Sequence, residues 1–452
     1  MSTKLFNDFN EVSSKEWRQK IQADLKGADY NDTLIWKTNE GIDVKPFYHA
    51  DEFTSIPNVS SSKATEWQIC ESIFVADIEK SNSRAIELLT RGADSLKFII
   101  PSEDIEIESL LKNIDLTKTK LYFELQFLSS NYVTKILKVT SKENTFIFID
   151  IIGNLARSGN WFTNLQEDHK QFETIVNKTA LFSVDLSLYQ NAGATMVQQL
   201  AYTLAHANEY LNFVTNNSNQ PLKLVFTTSV GTNYFFEIAK LRALRILWQT
   251  LASEYKIPEE CFIFVTPTRR NKTLYDYNTN LLRTTTECMS AILGGANTIN
   301  NLAYDAIYHK DNEFGSRISR NQLLILKNES YFDNVNNPAD GAYYIESLTQ
   351  QLAEKALELF KDIEANGGFL KQLKEGIIQR KIKESAEKEQ TQFNKGEEVL
   401  LGTNKHPNQE DKMKHELELY PFVKTNPRKT LIEPIIEKRL AETLEQNRLE
   451  AE

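Results

Sequence analysis

Residues 180–188 read ALFSVDLSL, and residues 193–211, which follow closely, read GATMVQQLAYTLAHANEYL. The first stretch is a short apolar run typical of a strand covered on both faces, and the second has the apolar spacing of a helix. The same order recurs further along, where LKLVFTTSV (residues 222–230) and CFIFVTPT (residues 261–268) are each followed by a helical pattern. Repetition of strand and helix predicts a parallel α/β arrangement.

Eight runs of this type lie between residues 66 and 302. The other five are EWQICESIFV (66–75), SLKFIIP (95–101), LYFELQF (121–127), TFIFIDII (145–152) and, more weakly, ANTINNL (296–302). Eight units over roughly 240 residues match the size of a closed (β/α)8 TIM barrel. An open doubly wound sheet, the alternative, usually has about five to seven strands. We therefore predict an α/β fold with a (β/α)8 barrel over residues 66–302.

The segments that flank the barrel do not show its alternation of strands and helices. Residues 1–65 are predicted to form an N-terminal arm, with a helix over residues 14–25, capped by Ser13 or Ser14, before the polar, proline-containing segment 46–63. Residues 303–452 are predicted to form a C-terminal helical extension and tail. Its expected helices cover residues 317–328, 345–365, 369–392 and, in the tail 431–450, the residues after Pro434.

Composition narrows the class of protein. The chain has 452 residues, of which 41% are hydrophobic and 25% charged, values close to those of ordinary globular proteins. Its net charge of −10 argues against a nucleic-acid partner. Cys70, Cys261 and Cys288 are too few and too scattered for a disulfide framework. The N-terminus lacks an apolar signal segment and the chain lacks an apolar run of membrane-spanning length, so we expect a cytoplasmic protein without a membrane partner.

Barrel enzymes carry their chemistry at the C-terminal ends of the strands, so polar residues predicted there are the candidate site residues. None of them is a histidine, and the six histidines of the chain lack the spacing of a metal site. Asp150 and Asp185 are either an acid–base pair or helix caps and ion-pair partners. The candidates are Cys70, Glu71, Asp150, Asp185, Ser187, Thr228, Ser229, Thr266, Arg269, Arg270, Asn297 and Asn300.

Two charged stretches could have either a structural or a ligand-binding role. The tract from Arg269 to Lys272 is either a surface loop or a contact for an anionic ligand. Glu237, Lys240, Arg242 and Arg245 lie on one predicted helix. We interpret that face as exposed to solvent or to an interface rather than as a phosphate clamp, with an ion pair between Glu237 and Lys240 at i,i+3 spacing.

Several segments resemble the methylmalonyl-CoA mutase family, in family order. They are AGATMVQQLAYTLAHANEYL (192–211), VGTNYFFEIAKLRALRILW (230–248), LLRTTTECMSAILGGANTINNLAYDA (281–306), SRISRNQLLILKNES (316–330) and NPADGAYYIESLTQQLAEKA (337–356). The resemblance implies a complex that interconverts (R)-methylmalonyl-CoA and succinyl-CoA. Its catalytic chains thread coenzyme A through a barrel and bind adenosylcobalamin in a C-terminal domain. Residues 6–27 are more similar to the small subunit of the two-subunit bacterial enzymes.

Positions that carry catalysis in the family differ in this chain. Catalytic chains have a Tyr-His pair within S-G-Y-H-x-x-E-A-G-A, and alignment on Ala192 places Ser187 and Leu188 at that pair. Leucine cannot donate the hydrogen bond that the family's histidine gives to the thioester carbonyl. Cys70 stands where the family motif W-x-x-R has arginine. We therefore expect no catalytic residues, with Cys70, Asp185, Arg269, Arg270 and Asn297 as degenerate positions facing a former ligand site.

The resemblance also sets expectations for cofactor and partner. The cobalamin-binding signature D-x-H-x-x-G does not occur, and 37 residues follow His415, too few for that domain. We expect this chain to bind no cofactor and to be inactive as a mutase alone. Adenosylcobalamin is then expected on a large catalytic subunit, which this chain would join as a 1:1 heterodimer, with its N-terminal arm, residues 1–65, wrapped around that partner. The alternatives are a stand-alone barrel enzyme acting on another acyl-CoA, through Asp150, Asp185 and Arg269–Arg270, or a regulatory barrel that binds coenzyme A.

Overall fold

The computed structural model describes residues 9–55, 64–214, 222–424 and 427–452. Residues 1–8 and 56–63 of the predicted arm therefore lie outside the described residues. The strands are β1 (Trp36–Lys37), β2 (Asp43–Val44), β3 (Gln68–Phe74), β4 (Ser95–Ile100), β5 (Lys120–Leu125), β6 (Thr145–Phe148), β7 (Leu181–Asp185), β8 (Lys223–Val230), β9 (Cys261–Pro267) and β10 (Thr298–Asn300). Each of the eight predicted runs overlaps one of the strands β3 to β10.

Helices of the described residues alternate with the strands and continue after them. They are α1 (Ser14–Asp24), α2 (Tyr30–Leu34), α3 (Ile78–Thr90), α4 (Ile107–Leu110), α5 (Ser130–Val139), α6 (Ile151–Ser158), α7 (Leu165–Thr179), α8 (Ser187–Asn191), α9 (Met196–Val214), α10 (Tyr234–Tyr255), α11 (Thr279–Leu293), α12 (Glu313–Asn328), α13 (Tyr343–Ala365), α14 (Phe369–Lys374), α15 (Ile377–Lys395) and α16 (Glu442–Ala451). None of the helices in the described parts is both long enough and apolar enough to cross a bilayer.

The eight parallel strands form the predicted TIM-type barrel. Their order is β6-β5-β4-β3-β10-β9-β8-β7. The ring closes between β6 and β7, where the amide of Ser183 donates to the carbonyl of Ile149 at 3.4 Å. Alternate residues face opposite sides: Leu96 and Phe98 of β4 join the main core beneath the helices, whereas Tyr122 of β5 belongs to a separate cluster inside the barrel.

The N-terminal arm is docked on the barrel. Helix α1 begins after Ser13, whose side chain forms a capping box with Glu16. The hairpin of β1 and β2 buries Ile42 completely in the main core. At the tip of the hairpin, the carboxylate of Glu40 accepts a hydrogen bond from the amide of Val197 at 3.0 Å, in the first turn of α9.

Two predicted C-terminal helices differ in the structure. The expected helix over residues 369–392 is divided into α14 and α15 at Gly376, which has φ +74°. The expected helix after Pro434 begins later than predicted, because within the tail 431–450 only α16, from Glu442, is helical. Residues 431–441 run instead across the barrel, where their amides bond to barrel carbonyls rather than to one another.

Candidate functional site at the barrel mouth

The axis of the barrel is filled by aromatic side chains. Tyr122 is completely buried there, with its ring centroid 5.1 Å from that of Phe146 and 4.9 Å from that of Phe264. Phe146 also lies 4.8 Å from Phe262, and Phe148 lies 5.3 Å from Phe264. These rings come from β5, β6 and β9, and their offset and edge-on contacts pack the interior of the barrel closely.

Above this aromatic layer, at the C-terminal ends of the strands, lies a cavity of about 530 Å³. Phe148 and Phe264 form part of its floor, and hydroxyl side chains of β8 and β9 line one wall. Its charged lining residues are Lys97, Glu124, Asp150, Arg157, Asp185, Arg269 and Glu437. The size is that of a site for a small molecule, and we therefore take this cavity as the candidate functional site.

Most charges in the cavity are already paired. The Lys97 ammonium lies 2.9 Å from the Glu124 carboxylate. The Arg157 guanidinium lies 2.6 Å from Asp185 and 3.6 Å from Glu437. Of the charged side chains that line the described cavity, that of Arg269 has neither an ion pair nor a side-chain hydrogen bond. The arrangement neutralises the mouth internally and leaves few groups to act on a substrate.

Asp150 is used structurally. It caps α6 through the amide of Gly153 at 2.7 Å, and it also accepts hydrogen bonds from Tyr210 Oη at 2.7 Å and from the amide of Asp185 at 2.8 Å. His206 Nε2 lies 2.9 Å from the same carboxylate. Burial alone would raise the pKa of Asp150, but His206 and these donors hold that pKa below its ordinary value. A carboxylate with this many partners is a poor general base.

Asp185 and the two positions aligned with the family's Tyr-His pair are also structural. The carboxylate of Asp185 accepts hydrogen bonds from the amide of Ser187 at 2.9 Å and from its hydroxyl. Ser187 opens the short helix α8 and lines the cavity. Leu188, the next residue, is completely buried in the main core. The aligned histidine position therefore points into packing rather than into the cavity.

Three predicted ligand-facing residues do not line the cavity. Asn297 precedes β10 and lies at the opposite, N-terminal end of the barrel, where its side chain accepts from Arg245 at 2.9 Å. Arg270 pairs with Glu389, at 2.7 Å from Nε. Cys70 lies within β3, buried in the packed interior, and burial raises the pKa of its thiol to about 12. Of the five predicted positions, Asp185 and Arg269 alone line the described cavity.

A segment that the sequence did not predict covers the mouth of the barrel. The amide of Leu431 donates to Gly159, that of Ile435 to Ala156, that of Lys438 to Asn191 and that of Leu440 to Arg270, at 2.7 to 3.1 Å. These acceptors follow β6, β7 and β9, so the segment 431–440 crosses the C-terminal face of the barrel. Its Glu437 reaches the cavity and accepts from Asn191 Nδ2 at 3.1 Å.

The charged face of α10 is buried rather than solvated. The predicted pair of Glu237 and Lys240 is present at 2.5 Å, with both side chains almost completely buried. Arg242 forms a bidentate pair with Glu346 of α13 at 2.8 Å. Exposure of this face to solvent is therefore wrong, because α13 covers Arg242, Lys240 donates to residues of the barrel, and Arg245 donates to backbone carbonyls of the barrel.

No group of three His, Cys, Asp or Glu side chains in the described ranges is placed to hold a metal ion.

Comparison with known proteins agrees with the resemblance seen in the sequence. Residues 107–448 match the family described as methylmalonyl-CoA mutase. The methylmalonyl-CoA mutase small subunit of Porphyromonas gingivalis is 34% identical, with 90% of this chain and 71% of that protein covered. The methylmalonyl-CoA mutase of Rhizobium meliloti is 30% identical, with 88% and 64% covered. That of Cereibacter sphaeroides is 31% identical, with 86% and 64% covered.

The share of each chain that these matches cover determines which properties of the relatives can be assigned to this chain. The chain spans about two thirds of the length of these relatives, so their whole activity does not transfer to it directly. The family match nevertheless covers most of the chain, including α9, α10, the strands β7 to β10 and the segment across the mouth. On this sequence evidence, and with the eight-stranded parallel barrel that carries it, the chain belongs to the methylmalonyl-CoA mutase family.

Proposed function

We propose that this chain is the small, non-catalytic subunit of an adenosylcobalamin-dependent methylmalonyl-CoA mutase. In this role it stabilises a large catalytic subunit within a 1:1 heterodimer, and the complex interconverts (R)-methylmalonyl-CoA and succinyl-CoA. The similarity to a small subunit over 90% of the chain supports the assignment. The observation that carries the proposal is the aromatic filling of the barrel axis.

The filled axis argues against turnover by this chain. A coenzyme A chain threaded through the barrel would need the space that Tyr122, Phe146 and Phe264 occupy. Opening a path would break several aromatic contacts of this interior cluster, and aromatic removal from a core typically costs about 3 to 5 kcal/mol per residue. The interior therefore serves stability, as the core of a barrel that supports a partner.

The mouth likewise does not fit a cobalamin. The segment 431–440 lies across the face where a corrin ring would have to approach. None of the described residues that line the cavity is a histidine, cysteine or methionine, the side chains that supply nitrogen or sulfur ligands to a metal such as cobalt. These features support the proposal that adenosylcobalamin binds to the partner subunit.

The alternative of a stand-alone acyl-CoA enzyme lacks free catalytic groups. Asp150 is held by His206 and Tyr210, and Asp185 is paired with Arg157. Arg270, the second residue of the basic tract, points away to Glu389. A proton-transfer role would require at least one of these carboxylates to be unpaired beside a substrate.

The test is assembly. The full-length chain and the large subunit from the same organism are purified separately, mixed, and measured by size-exclusion chromatography with light scattering. We expect a single 1:1 species, and a gain in thermal stability of the large subunit by mass action. A persistent monomer of this chain, beside a large subunit whose stability and activity are unaffected, would refute the proposal.

A further inference from the structure

The outer side of the N-terminal arm carries a basic groove. This groove, of about 380 Å³, lies between α1, α2 and the hairpin of β1 and β2, and all its lining residues belong to the segment 14–52. Its charged lining residues are Lys15, Arg18, Lys37 and Lys45, against Asp43 and Glu52. A local excess of positive charge stands out in a chain whose net charge is −10.

Three of the four cations are free for an outside partner. Lys45 lies 3.0 Å from Glu52 and is paired. Within the described parts of the chain, Lys15, Arg18 and Lys37 have no carboxylate at ion-pair distance. The guanidinium of Arg18 lies 4.6 Å from the centre of the Tyr30 ring, which holds it over the groove. An unpaired cation fixed by an aromatic ring is prepared to accept a carboxylate.

The arm is anchored on one side and uncovered on the other. Ile42 and Glu40 attach the hairpin to the barrel. Helix α1, in contrast, has no buried residue, and its Trp17 is 50% exposed although it stacks on Phe47, 5.1 Å away. Protein interfaces typically combine an aromatic side chain at their centre with charged side chains at their rim. An exposed tryptophan beside unpaired cations therefore indicates an interface rather than a face that contacts only solvent.

We propose that this groove docks an acidic peptide segment of the large catalytic subunit, with carboxylates on Lys15, Arg18 and Lys37 and an apolar side chain against Trp17. This inference rests on the proposed function. A polyanion such as a lipid surface or nucleic acid fits less well, because Asp43 and Glu52 line the same groove and the negative net charge repels an extended anionic surface. A short segment with few carboxylates can meet Lys15, Arg18 and Lys37 while extending little negative charge toward Asp43, Glu52 and the rest of the chain.

The experiment compares two charge-reversed full-length chains. Lys15→Glu, Arg18→Glu and Lys37→Glu together remove the basic groove. The matched control reverses Lys80, Lys112 and Lys142, three exposed lysines on the barrel. Affinity for the large subunit is measured by isothermal titration calorimetry at low and high salt. We expect the groove variant to bind at least tenfold more weakly, with a smaller salt dependence, and the control to bind like the wild type.

Carbodiimide crosslinking of the complex identifies the docked segment, since Lys15 and Lys37 should join to aspartate or glutamate residues of the large subunit. Equal affinities of the two variants would overturn the docking inference while leaving the proposed function intact. Absence of any complex for the wild type would overturn both. Retention of the wild type, but not the groove variant, on phosphatidylserine vesicles would assign the groove to a membrane and reject the inference.

Discussion

The hydroxyl of Tyr122 and Oγ1 of Thr298 lie 2.8 Å apart and join β5 to β10 across the interior of the barrel. Both side chains are completely buried. This bond satisfies the one polar atom that Tyr122 brings into an aromatic cluster. The axis is thus closed by a hydrogen-bonded core, and the proposed supporting role of the chain rests on that closure.

A double-mutant cycle tests this bond. Tyr122→Phe leaves Thr298 without its partner, and Thr298→Val leaves the tyrosine hydroxyl without one, so each should lower the free energy of unfolding by about 1 to 3 kcal/mol. The double variant should lose less than the sum of the two, because no polar atom is left unpaired. Urea unfolding measures all four proteins, with Tyr343→Phe on the exposed end of α13 as control. Strict additivity would show that the two side chains do not interact.

Leu188→His restores the family's residue at the aligned position. Because Leu188 is completely buried, the imidazole would lose hydration without gaining a partner, and stability should fall by about 2 kcal/mol or more. Leu188→Met, which keeps the site apolar, should cost less than about 1.5 kcal/mol. We expect no isomerase activity from the isolated histidine variant. Measurable isomerisation without the large subunit would contradict the account.

The segment across the mouth is predicted to be part of the stable core. Ile435 is buried beneath it, and Ile435→Ala should lower the free energy of unfolding by about 2 to 5 kcal/mol. Its neighbour Ile436 is 48% exposed, so Ile436→Ala should change stability by no more than about 0.5 kcal/mol. Chemical denaturation compares the two. If both variants were equally stable, the segment would not be packed on the barrel as described.

Stability should depend on pH through Glu71, a residue of β3 whose carboxylate lies 3.3 Å from Arg320 of α12. Burial raises the pKa of its carboxyl to about 7, although Arg320 opposes the shift. Between about pH 4.5 and 7 the folded chain keeps this proton while the unfolded chain releases it, so this contribution to the free energy of unfolding declines as pH rises. The total is roughly 3 kcal/mol, at about 1.4 kcal/mol per pH unit.

Glu71→Gln replaces the carboxyl with an amide that does not ionise, so the variant lacks this contribution to the pH dependence. Relative to the variant, the wild type should therefore become less stable between pH 5 and pH 8, as measured by urea unfolding at both values. Glu79→Gln, an exposed substitution on α3, should keep the pH dependence of the wild type. Identical pH profiles for the wild type and Glu71→Gln would mean that Glu71 ionises normally in the folded chain.

The barrel could be predicted because its signals are local. Apolar runs that form strands, such as residues 261–268, and helical spacing such as that of residues 193–211 depend on neighbours in the chain, and the strands and helices follow them. The cap of α1 at Ser13 is local too. The filled axis had a sign in the sequence, since Phe262 and Phe264 alternate along one strand, but which alternate face points inward depends on how the ring closes.

The candidate site was less predictable because its partners are distant in sequence. Glu437 reaches Arg157 from 280 positions away, and Arg242 meets Glu346 of α13 across 104 positions. A charged helix face reads as solvated until the covering helix is known. Asn297 was misplaced for a simpler reason: it stands at the start of the weak final run 296–302, just before β10 begins at Thr298, and so at the N-terminal end of the barrel rather than at the mouth.

The central claim is that this chain supports catalysis without performing it. In the most direct measurement, the purified chain is incubated without any partner but with adenosylcobalamin and (R)-methylmalonyl-CoA. The visible spectrum of the re-isolated protein and the formation of succinyl-CoA are then recorded. The account predicts no retained corrinoid and no product, with both restored when the large subunit is added and the corrinoid found on that subunit. Corrinoid retention together with succinyl-CoA formation by the chain alone would contradict it.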